Sequence, residues 1–161
     1  MSKTVRTFLP KNRIETLARR AGGIPRERAL DQAVQAVESL RDESLDAIRE
    51  GIRAVDLILS ATTSTRLSDV EMRKILHSCD RIIVLAETYG YRLLTKIAMG
   101  LCDLVGRLIE IDKGDRKAVH VCVRSLHLVA PPRGALSARE EETILRELSR
   151  VLAHYKVAGR Y

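Results

Sequence analysis

The chain has 161 residues, 45% hydrophobic and 30% charged, which is enough apolar material for one domain with a core and too balanced a mixture for wholesale disorder. Aromatic residues are only 3%, with one Phe and no Trp, so a core must come from Leu, Ile, Val and Ala, and the stacking platforms of single-strand nucleic-acid binders are missing. The formal charge of +7 is uneven: Lys3, Arg6, Lys11, Arg13, Arg19 and Arg20 against Glu15 place five of the seven net charges in residues 1–23, which argues against a uniformly basic DNA-binding domain.

In chain order, residues 1–10 read as a flexible stretch containing Pro10. Asn12, with Glu15 three positions on, predicts the capped start of a short helix. Ile14, Leu17, Ala18 and Ala21 share one of its faces, and Gly22-Gly23 end it. Residues 1–23 are therefore expected to be a basic arm, and residues 24–161 a helical bundle. Pro25 suits a first helical turn, and the pattern stays helical to about residue 61. Leu30, Val34 and Val37 come first, then Leu45, Ile48, Ile52, Val55 and Leu59 at steps of three and four, the seam of a left-handed bundle. Arg41-Asp42-Glu43-Ser44 interrupts this stripe and marks a kink or a break.

Thr62-Thr63-Ser64-Thr65 reads as a loop, and Ser68 with Glu71 as a capping box opening the next helix. Its inward stripe is Met72, Ile75, Cys79, Ile82, Ala86 and Tyr89, interrupted by Gly90. A further helix carries Leu94, Ile97, Leu101, Leu104, Val105 and Leu108, and Lys113-Gly114-Asp115 is a stop followed by a new cap. Residues 118–130 are helical and end at Pro131-Pro132-Arg133-Gly134. Ser137 with Glu140 opens a last amphipathic helix bearing Ile144, Leu145, Leu148, Val151, Leu152 and Tyr155. Alternation at period two is absent. The expected fold class is all-α: an antiparallel four-helix bundle with a short N-terminal helix before it and an additional C-terminal helix after it.

Chemistry-bearing motifs are scarce. Cys79, Cys102 and Cys122 are odd in number, far apart and set in apolar helical stretches, as buried reduced thiols of a cytoplasmic protein would be. No CxxC, phosphate loop or nucleophile elbow occurs, so no metal, cofactor or catalytic residue is expected. No uncharged run is long enough to span a membrane. His120 and His127 share a solvated flank with Arg124, and His154 sits near a helix C-terminus. His77 lies opposite the Ile75/Cys79/Ile82 stripe with Arg73, Lys74 and Arg81 within a turn. Such an exposed imidazole can hold a phosphoryl group, or simply be a surface histidine on a basic patch.

The run Cys79-Asp80-Arg81-Ile82-Ile83-Val84-Leu85-Ala86-Glu87-Thr88-Tyr89-Gly90-Tyr91-Arg92-Leu93-Leu94 resembles the phosphotransfer helix pair of histidine-containing phosphotransfer domains, including the first domain of chemotaxis histidine kinases. In that family an acceptor His is followed by a Lys three residues on, a Gly directly after it, and a turn Gly ten residues after the His. Ala86, Thr88, Tyr89, Gly90, Tyr91 and Leu94 match. At the reactive positions Asp80 stands for the His, Ile83 for the Lys and Val84 for the Gly, so the resemblance, over about residues 40–130, implies the bundle without the relay. The layout, with Lys11-Asn12-Arg13, Gly22-Gly23, Leu40-Arg41-Asp42-Glu43-Ser44, Leu101-Cys102-Asp103-Leu104 and Val119-His120-Val121, also resembles the CheE family of small chemotaxis accessory proteins.

The expected function is a non-enzymatic signalling module that docks a response regulator or a chemotaxis histidine kinase. Its docking surface is Arg73, His77, Asp80, Val84 and Glu87, with Ile14 and Leu17 of the arm as a second contact fitted to a partner's groove. Three other readings stand beside it: a competent phosphotransfer protein using His77, a helical interaction protein such as a homodimer, and a DNA-binding regulator using the arm, which lacks helix-turn-helix spacing.

Overall fold

A computed structural model describes residues 23–131 and 136–157. Among them six helices form, α1 (Arg26–Ser39), α2 (Arg41–Ala61), α3 (Asp69–Thr88), α4 (Arg92–Glu110), α5 (Arg116–Val129) and α6 (Ala138–His154). Among the described residues, the only β-type pairing is an isolated bridge between Arg66 and Asp115. The chain divides into two units, residues 1–39 and 40–161. The division falls later than the expected boundary after Gly23, because the stretch read as helical from Pro25 to about residue 61 is broken at Leu40. There Ser39 Oγ bonds back to the Ala36 carbonyl at 2.8 Å, a local bond that competes with helix continuation. Asp42 and Glu43 then favour a fresh start by sitting in the first turn of α2. Arg41-Asp42-Glu43-Ser44 is thus the opening of a helix rather than a kink inside one. In the first unit no residue of α1 is buried, and Leu30 and Val34 are exposed.

Both capping boxes form in the second unit. Ser68 Oγ accepts from the Glu71 amide while the Glu71 carboxylate accepts from the Ser68 amide, and Ser137 and Glu140 repeat the exchange at α6. Asp115 caps α5, its Oδ1 accepting from the amides of Lys117 and Ala118. Three helices end in the same left-handed turn. At α3 the Tyr91 amide reaches the Ala86 carbonyl and the Gly90 amide that of Glu87, with Gly90 at φ +74°. Asp112 (φ 49°) and Lys156 (φ 56°) play the Gly90 part at α4 and α6. Gly114, read as the stop after α4, serves a different end: a Cβ there would lie 2.0 Å from the Leu67 carbonyl oxygen, and its own carbonyl accepts from the Leu67 amide at 2.7 Å. Two loops cross at that point, and only glycine fits between them.

The stripes read for α2, α3 and α4 supply most of the core, with Leu45 and Tyr89 only half-buried. Ile48, Ile52, Val55 and Leu59 of α2, Met72, Ile75, Cys79, Ile82 and Ala86 of α3, and Leu94, Ile97, Leu101, Leu104, Val105 and Leu108 of α4 are all buried. Each large aliphatic chain so placed contributes about 1.5–3 kcal/mol relative to exposure. α2 packs on α3 and α5, and α4 on the same two helices, while α6 lies against α4 and α5. Polar ties brace the rim: His127 of α5 with Asp56 of α2, and the Tyr155 hydroxyl donating to Asp115 Oδ2 from the end of α6 to the start of α5. His127 therefore does more than decorate a solvated flank, whereas His120 is exposed.

Candidate functional site

The inner stripe of α3 fixes the helix's rotation, and with it what the outer face presents. With Met72, Ile75, Cys79, Ile82 and Ala86 buried, residues 73, 77, 80, 84 and 87 fall on the opposite side at steps of four and three. Arg73, His77, Asp80, Val84 and Glu87 are indeed all exposed, Val84 by 64%. They form one continuous stripe.

Three of the five, His77, Asp80 and Val84, line an open groove of about 520 Å³ between α3 and the first turns of α2. Arg81 and Leu85 complete the α3 wall, and Leu40, Glu43, Ser44 and Ala47 form the other. Arg73 and Glu87 lie one turn before His77 and one residue beyond the turn containing Val84, outside the lining. Leu40, Ala47, Val84 and Leu85 give the groove an apolar character, with Glu43 and Asp80 supplying negative groups and Arg81 a positive one. The Ser44 hydroxyl donates to the Tyr89 hydroxyl oxygen at 3.2 Å and ties the α2 wall to the end of α3. Ile14 and Leu17 lie outside the described residues.

The α2 wall was not among the residues that the sequence pattern marks. Its signal was present as the polar interruption Arg41-Asp42-Glu43-Ser44, since a helix that restarts there turns its first residues beside α3.

Asp80, Ile83 and Val84 have distinct surroundings. Asp80 is exposed in the groove, Ile83 is half-buried and packed against the core, and Val84 projects outward. An apolar trough edged by both signs of charge is suited to burying a partner's apolar side chains and orienting them.

Outside the core, displaced acidities occur away from the groove, at helix ends. Hydrogen bonds from Thr62 and then Ser68 hold the Glu71 carboxyl down at about 2. The Tyr155 hydroxyl lowers Asp115, and burial followed by the Asp115 contact pushes the Tyr155 phenol up to about 12. These groups are structural caps and braces. His154 packs edge-on against Tyr155, ring centroids 4.9 Å apart. Of the three cysteines, Cys79 and Cys122 are buried and Cys102 is half-buried. Among the described residues no group of three His, Cys, Asp or Glu side chains is placed to hold a metal ion, and no helix is long and apolar enough to cross a membrane.

No protein-family model matches the chain, and neither a curated protein nor a solved structure is significantly similar to it.

Proposed function

We propose that this protein is a non-enzymatic docking module of the phosphotransfer type, an antiparallel four-helix bundle formed by α2–α5 that binds a response regulator or a chemotaxis histidine kinase without relaying phosphate. The circuit of contacts among α2, α3, α4 and α5 supports the bundle reading. One observation carries the functional part: His77, Asp80 and Val84, the exposed α3 positions around the degenerate relay frame, line one apolar groove. A surface helix ordinarily keeps such a face polar, and an open apolar trough there is an interaction feature. The resemblance to the CheE family, on the residues named above, supports reading such a module as part of a cytoplasmic chemotaxis pathway. Nucleic acid is a weaker partner, because the net positive charge sits mainly in residues 1–23.

His77 favours a second reading, since its imidazole also lines the groove and stands one turn before Asp80. A displaced acceptor would make the protein a competent relay. One experiment separates the two. The protein is incubated with an active chemotaxis kinase, labelled ATP and a response regulator, and both retention and label are measured. Docking without relay predicts a complex abolished by Val84→Glu and no acid-labile label. Acid-labile label lost in His77→Gln would establish the relay instead, and absence of any complex would reject both.

A further inference from the structure

The loop before α3 and the loop before α5 meet at a second cleft, of about 360 Å³, which shares no lining residue with the groove. Thr65 and Arg66 come to it from the first loop, Lys113, Gly114 and Asp115 from the second, and Lys117 from the first turn of α5. Its backbone is held by bonds between the loops. The Leu67 amide donates to the Gly114 carbonyl at 2.7 Å, the Arg116 amide donates to the Thr65 carbonyl at 3.4 Å, and Arg66 and Asp115 form the isolated bridge. A cleft fixed in this way has its shape before a ligand arrives, so binding does not have to order a loop.

Three cations and one carboxylate line the cleft. The carboxylate is already engaged within the protein: Asp115 Oδ1 accepts from the amides of Lys117 and Ala118, and Oδ2 from the Tyr155 hydroxyl. Arg66 uses Nη2 alone, on the carbonyl and the carboxylate of Asp112, which leaves its Nε and Nη1 open. Among the described residues neither Lys113 nor Lys117 forms a salt bridge. No acidic residue lies on α5 from Arg116 to Val129 to neutralise them. The Thr65 hydroxyl makes no hydrogen bond among the described residues either.

We propose that this cleft binds a small anion bearing a phosphate group, with Arg66, Lys113 and Lys117 supplying the opposite charge. The open N–H groups of Arg66 donate to phosphate oxygens, the two lysines act as adjustable point charges, and the Thr65 hydroxyl adds a neutral donor. The first amides of α5 take no part, because Asp115 occupies them. The volume falls near the lower end of small-molecule sites, roughly 300–1,000 Å³, and admits a phosphate with a small body attached. None of the lining residues is aromatic, so the cleft has no platform for a nucleotide base.

The test is a calorimetric titration of the full chain with glycerol 3-phosphate and, separately, with inorganic phosphate, with amide shifts recorded in parallel. Saturable binding of at least one probe is expected, with shifts at Thr65, Arg66, Lys113, Gly114 and Lys117. Tighter binding of glycerol 3-phosphate assigns the phosphate to an organic carrier, and binding of inorganic phosphate as tight or tighter assigns it to the free ion; both support the site. Lys113→Gln combined with Lys117→Gln, two exposed positions, should weaken binding about tenfold for each ammonium lost and leave the unfolding curve unchanged. Arg92→Gln combined with Lys96→Gln removes the same charge from exposed positions on α4 and should leave the affinity as it was. No binding of either probe, equal weakening in the two double variants, or shifts confined to residues 1–23, where most of the net positive charge lies, would each overturn the proposal.

Discussion

The two faces of α3 obey the same spacing and answer to different demands. On the inner face Met72, Ile75, Cys79, Ile82 and Ala86 are buried, and packing against α2 and α4 accounts for every one of them. On the outer face Arg73, His77, Asp80, Val84 and Glu87 are exposed. Four of these are what solvent asks for, and Val84 is not: a β-branched residue gains nothing in helix propensity there and packs on nothing inward. An inner face reports the fold, whereas an outer residue that neither propensity nor packing explains is where function is to be sought.

The largest expected effect is on the inner face. Ile82→Ala removes a fully buried side chain between α2 and α3 and should cost about 2–5 kcal/mol in urea unfolding. A loss below about 1 kcal/mol would mean that the inner stripe is not held as tightly as its burial indicates. Next comes the rim. Tyr155→Phe deletes the hydroxyl that donates to Asp115 and should cost about 1–3 kcal/mol, measured the same way, by leaving a partly buried carboxylate short of its donor.

A smaller effect is expected from the capping box of α3. Glu71 ionises at about 2 in the folded protein against an ordinary 4.5, so the stability it contributes is fully present above pH 4.5 and is lost as pH falls toward 2. The stability difference between the protein and Glu71→Gln should therefore be constant above pH 5 or so and shrink on acidification through that window. A difference independent of pH would show that the Thr62 and Ser68 bonds do not favour the ionised form. The smallest effect belongs to the outer face: Val84→Glu should alter stability by less than about 0.5 kcal/mol, sharpening the contrast with its neighbour Ile82 two positions away.

Much of the fold was legible because its signals are local. Ser68 with Glu71, Ser137 with Glu140, and the three-and-four stripes of α2 to α4 each act within a helical turn; both capping boxes form, and most of those stripe residues are buried. Where the sequence misled, the cause was tertiary. Leu30 and Val34 continue the apolar periodicity of Ile48 and Ile52, and the pattern alone does not say which stripe is covered: the first pair is exposed, the second buried. The left-handed residue after α4 is Asp112, not Gly114, because the glycine is needed for the crossing over Leu67. For the candidate site, the outer stripe of α3 could be read from periodicity. The opposing wall at residues 40–47 depends on how α2 restarts after Leu40 and lies on α3, a pairing across some forty residues that no local motif encodes.

The most direct measurement of the account is an amide-shift titration of the isotope-labelled protein with a chemotaxis response regulator, phosphorylated and unphosphorylated, and with the kinase. Docking in the groove should perturb a contiguous set containing Glu43, Ser44, Ala47, His77, Asp80 and Val84; Val84→Glu should remove the perturbation while preserving the spectrum of the core, and the His77 side chain should acquire no phosphate. Perturbations centred on α5 or α6, or binding unchanged in Val84→Glu, would contradict it.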